Sequence, residues 1–200
     1  MKKLLSALLV FAVLFTGTNA SALSGKDREQ NKQDREAKRV ESKEKRDKRN
    51  EKLSIMFNKF NPNGSSEFDA NAAEHTAFHD QRKATKDSYR SSQREQFDKL
   101  KASLENGEIT QEQYNERKEA LKAAIESYRK EAKAIIENKK VELKSVRDQS
   151  KAIREEFKTM RESGSIDETR MAELLDTVNE LAAQHLEIDY KYAALIDALR

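Results

Sequence analysis

Apolar side chains along this chain recur at intervals of three and four, the spacing that lines one face of a helix. After residue 24 only four glycines (Gly25, Gly64, Gly107, Gly164) and one proline (Pro62) interrupt the pattern. The first segment, over 23–60, is different: between Lys26 and Lys52 it carries almost no apolar side chain besides Ala37 and Val40. Opposite charges one turn apart, as Glu41 with Lys45 and Glu44 with Lys48, let it be a solvated helix. A lone polar helix is marginal in water, so a charged arm that is either helical or disordered is expected there. Leu53, Ile55, Met56, Phe57 and Phe60 end it on an apolar note before a loop over Asn61–Ser66, where proline, asparagine and glycine give ordinary turn chemistry.

Three packed helices follow over 67–200. The first, about 67–106, tightens toward Phe97, Leu100 and Leu104 on one face and stops at Gly107, a left-handed cap residue. Thr110-Gln111-Glu112-Gln113 has capping-box spacing and starts the next helix, about 110–162 and roughly 75 Å long. Its seam reads Leu121, Ile125, Tyr128, Ala132, Ile136, Leu143, Val146, Ile153, Phe157 and Met160, weakened where Lys139 and Ser150 occupy seam positions. Ser163-Gly164-Ser165 closes it, and Ser165 with Glu168 offers a second capping box for the last helix, about 166–199. That helix carries Met171, Leu174, Val178, Leu181, His185, Ile188, Tyr192, Leu195 and Leu199 in a three-four pattern. Short reversals between apolar-seamed helices make neighbours antiparallel. The expected fold is all-α: long antiparallel helical hairpins forming a coiled-coil bundle.

Composition adds an address and removes several functions. Met1-Lys2-Lys3, the apolar stretch Leu4–Phe15 and the small residues Ala20-Ser21-Ala22 read as a signal peptide over 1–22. Twelve residues of helix, apolar apart from Ser6, reach only about 18 Å, short of a bilayer core of about 30 Å, so no membrane anchor is expected after cleavage. Export to a periplasm, or to the outside or cell wall of a one-membrane cell, follows as an expectation. With no cysteine there are no disulfides, no thiolate zinc site and no lipidated cysteine. Lys2 and Lys3 belong to the signal, leaving 37 basic and 36 acidic residues beyond it. A nearly neutral chain does not suit nucleic acid. The charge is unevenly spread, with +4 over Lys26–Lys52 and −6 over Glu162–Arg200, which suits either solvated faces or head-to-tail attraction.

Chemistry is sparse. An EF-hand register on Gly64 places Lys59 and Ala70 where carboxylates are required, which excludes calcium there. His75 and His79 stand one turn apart, able to face one metal ion, but Asn71 and Lys83 occupy the positions one turn further on either side. His185 lies on the apolar seam of the last helix, as a packed or mildly pH-sensitive residue. No nucleophile, phosphate loop or carboxylate pocket stands out, so no catalytic, cofactor-binding or metal-ligating residue is assigned and no enzyme is expected.

Two resemblances bear on role. Ile109-Thr110-Gln111-Glu112-Gln113 resembles the L-T-x-x-Q motif of the Spy/CpxP family of periplasmic helical stress proteins, and Gly164, Ile166, Asp167, the seam through Leu181, His185 and Tyr192, and the ending Leu195-Ile196-Asp197-Ala198-Leu199 resemble that family's last helix. That resemblance implies a helical cradle, often dimeric, that holds unfolding clients without ATP, with some relatives sensing stress or metals. Its second motif has no counterpart before Arg200, and the third helix is longer than the pattern. Leu100-Lys101, Leu104, Gly107, Ile109-Thr110, Glu112, Tyr114, Lys118 and Leu121 are also similar to the short SHOCT hairpin, which implies association, over 97–121. The leading expectation is an exported ATP-independent chaperone or envelope-stress interaction protein. Its partners would be unfolded or envelope proteins, and it would form a homo-oligomer, a dimer being the simplest. The alternatives are a structural self-associating coiled coil and an extracytoplasmic metal-binding sensor using His75 and His79.

Overall fold

The computed structural model describes residues 25–200, with side chains at 30, 31, 33, 34 and 36–200. Among these residues there are four α-helices and no strand: α1 (Gly25–Phe60), α2 (Pro62–Glu105), α3 (Gln111–Ser163) and α4 (Glu168–Asp197). The chain has the all-α class that its periodicity predicts. The signal segment expected over 1–22 lies outside the described residues. No described helix is long and apolar enough to cross a membrane.

The helix boundaries come from local chemistry. The loop expected over 61–66 contracts to Asn61, so α2 begins at Pro62 and not near residue 67. Asn61 is its N-cap: the side-chain carbonyl accepts from the Gly64 amide at 3.1 Å, and Pro62 follows at the one position where a missing N–H is no loss. Gly107 (φ 72°) closes α2, with the Glu108 amide bonded back to the Ser103 carbonyl at 2.9 Å and Gly107 to Leu104 at 3.0 Å. That pattern is a Schellman cap. The box at the start of α3 closes both ways, Gln113 N–H to Thr110 Oγ1 at 3.2 Å and Thr110 N–H to Gln113 Oε1 at 3.0 Å. Gly164 (φ 69°) ends α3. The cap of α4 is Asp167, not the predicted Ser165: Asp167 Oδ1 accepts the Arg170 amide at 2.9 Å, and its negative charge suits a helix N-terminus better than a hydroxyl does.

The chain forms two compact units, and α2, α3 and α4 each contribute to both. The first holds the described part of the chain up to Phe68 together with Ala152–Asp176. Phe57, Met171 and Leu175 are fully enclosed there, and Phe57 stacks on Phe68 at 4.8 Å. Burial of each such side chain contributes about 1.5–3 kcal/mol. Asn61 Nδ2 donates to Asp176 Oδ1 at 2.5 Å, and Arg170 forks onto both Glu156 oxygens at 2.6 and 3.0 Å. The expected separation of the charged arm from the bundle at Asn61 is thus a break between helices only. The described part of α1 is helical throughout, and its apolar end packs with the α3–α4 reversal because Phe57 has a core to enter.

The second unit holds Asp69–Lys151 and Thr177–Arg200. Here α3 runs antiparallel to both neighbours, with Tyr89 of α2 against Tyr128 and Lys191 and Tyr192 of α4 on Glu142. It follows that α2 and α4 run parallel, a contact the hairpin argument did not anticipate. Arg82 Nη1 reaches Asp197 Oδ2 at 2.6 Å, and Phe78 packs with Leu186 and Ala193. Leu195, predicted on the seam, is exposed instead. Lys139, the polar residue on the α3 seam, has its ammonium paired with Asp189 of α4.

Candidate metal centre

Within the second unit the parallel pairing of α2 and α4 brings one turn of each together. His75 and His79 share a face of α2, being four residues apart, and their rings meet edge to face with centroids 4.5 Å apart. On α4, His185 and Asp189 are also one turn apart. His185 stacks on His75 with centroids 5.3 Å apart and planes 22° from parallel. Asp189 lies opposite, with Oδ2 3.7 Å from His75 Nε2. One ligand atom each from His75, His79 and Asp189 lie within 4.8 Å of one another. A tetrahedral site with bonds of about 2.0–2.2 Å separates its ligands by about 3.3–3.6 Å. The His75–Asp189 edge, 3.7 Å, is already close to that, and His79 is exposed.

Asp189 is the unusual member. It is 2% exposed, and a carboxylate is seldom that buried without a partner. One oxygen has one: Lys139 of α3, itself 24% exposed, ion-pairs with Oδ1. The other, Oδ2, is buried without a hydrogen-bond partner and faces the histidines. A buried acceptor left unmade costs about 1–3 kcal/mol, more when charged, so the position is unfavourable unless something binds it. Burial holds His185 below the ordinary imidazole range. Asp189 pulls it up, and Lys139, Arg147 and His79 push it further down.

From sequence alone His75 and His79 lack a third donor on their own helix; the third comes from α4, more than a hundred residues away. The signal for it was an acidic residue four positions after a seam histidine, repeating on α4 the one-turn spacing of the α2 pair. Two imidazoles and one carboxylate form a borderline donor set suited to zinc, nickel, cobalt or copper, whereas calcium and magnesium require oxygen ligands. No family model, curated protein or solved structure matches the chain.

Proposed function

We propose that this chain is a helical binding protein for a divalent transition metal of the zinc class, held by His75 and His79 of α2 and Asp189 of α4. The observation that carries this reading is the buried Asp189 Oδ2, without a hydrogen-bond partner and 3.7 Å from His75 Nε2, in a cluster that also holds His79. A metal bridging α2 and α4 would stabilise the second unit by mass action, by about 2.7 kcal/mol at a hundredfold excess over Kd. Combined with the expected export, that makes a metal-responsive extracytoplasmic protein. The test is calorimetric titration of zinc into the chelator-stripped chain. One site per chain, lost in His75→Ala/His79→Ala, supports the reading; equal binding by both proteins removes it.

A second reading, the ATP-independent chaperone or envelope-stress interaction protein, is favoured by the hairpin around Gly107. A groove of about 570 Å³ there is lined by Leu100, Leu121 and Ala120 beside Lys99 and Arg117. Apolar and basic groups side by side suit weak attachment to unfolded, acidic chains. Suppression of aggregation of an unfolding protein at equimolar amounts without nucleotide supports it, and none at tenfold excess counts against it.

A further inference from the structure

The two oxygens of Asp189 have different surroundings. Oδ1 is engaged by Lys139, while Oδ2 stays without a hydrogen-bond partner on the side of His75. A carboxylate can turn about its terminal torsion, and that torsion is broad when nothing holds it. Something must therefore select which oxygen faces the imidazoles. Lys139 sits at a seam position of α3, where an apolar residue would be expected and a lysine is tolerated only when paired. A protonated lysine has three donors and no acceptor, so it can hold a carboxylate oxygen but cannot occupy a ligand position.

We propose that Lys139 is the positioning residue of the metal site: by binding Oδ1 it fixes the Asp189 carboxylate and presents Oδ2 to a metal ion between His75 and His79. This inference rests on the metal-binding reading above and adds the third helix to it. The metal joins α2 to α4 through its ligands, and Lys139 ties α3 to the same carboxylate, so all three helices of the unit meet at one group. Hydrogen-bond partners behind metal ligands set ligand orientation, and their loss typically lowers affinity about 10–100-fold.

The test uses the full chain, freed of metal and titrated with zinc in competition with a chromophoric chelator. Helical content and melting are recorded for every variant. Lys139→Met is expected to weaken zinc binding about 10–100-fold, and Lys139→Arg, which retains charge and donors, is expected to restore most of the loss. The decisive arm is the double variant. In an Asp189→Asn background Lys139→Met should change affinity by less than about twofold, because a residue acting through Asp189 has nothing left to position. With cobalt in place of zinc, the ligand-field spectrum of Lys139→Met should move toward that of Asp189→Asn, a change that loss of stability alone does not produce. Should Lys139→Met bind as well as the parent, or more tightly because the ammonium competes with the metal, the proposal falls while the site stands. An equal loss in the Asp189→Asn background also overturns it. Zinc binding that survives His75→Ala/His79→Ala overturns the site itself, and this inference with it.

Discussion

Replacing Lys139 and Asp189 together by Met and Leu should stabilise the metal-free protein while weakening zinc binding. Asp189 is almost fully enclosed, and one of its oxygens has no hydrogen bond. Exchanging a buried ion pair for apolar residues of similar size is commonly neutral or stabilising, by up to about 4 kcal/mol. Lys139 keeps about a quarter of its side-chain surface in water, so its desolvation is partial and the lower part of that range applies. A gain of about 1–2 kcal/mol is expected, equivalent to roughly 2–8 °C in Tm for a chain of this length. Asp189→Leu alone should lack this gain, since it leaves the ammonium half-buried without its counter-ion. The assay is thermal and urea unfolding of chelator-treated proteins, with zinc titration of each. A double variant destabilised by more than about 1 kcal/mol would refute the reasoning, because the cluster would then hold the fold together instead of being maintained for a ligand.

Three further outcomes test other parts of the account. Burial, with Lys139, Arg147 and His79 outweighing Asp189, lowers the pKa of His185, so the folded chain takes up that proton less readily than the unfolded chain. Stability of the metal-free protein should be complete above the ordinary imidazole value of about 6.5 and fall as the pH drops toward the lowered one; His185→Gln should flatten this slope in melts at successive pH values, and an unchanged slope would contradict it. Gly107→Ala meets no atom near the added methyl but must keep φ near +72°, so a loss of about 1–2 kcal/mol is expected in urea unfolding. Leu175→Ala removes a fully enclosed side chain from the first unit and should cost about 2–5 kcal/mol by the same measurement.

What could be read from sequence follows from how local each feature is. The caps at Gly107, Thr110 and Gly164 depend on a few adjacent residues, and all three form as their spacing implies. The α2 boundary was misplaced because Pro62-Asn63-Gly64 is equally good turn chemistry and a good first helical turn; the tie from Asn61 to Asp176 lies 115 residues away in the chain. The same limit hid the site. His75 and His79 are visible as a pair, but Asp189 becomes their neighbour only because α2 and α4 run parallel, a consequence of both packing antiparallel to α3. Lys139 looked like a fault in the α3 seam for the same reason, its partner being on another helix.

Anomalous scattering at the zinc edge, from crystals of the full chain grown with the metal, locates the ion among the side chains of α2 and α4. One strong peak is expected about 2.0–2.2 Å from a ring nitrogen of His75, a ring nitrogen of His79 and Oδ2 of Asp189, with Lys139 still on Oδ1. Saturating zinc that leaves these three residues without a peak would contradict it.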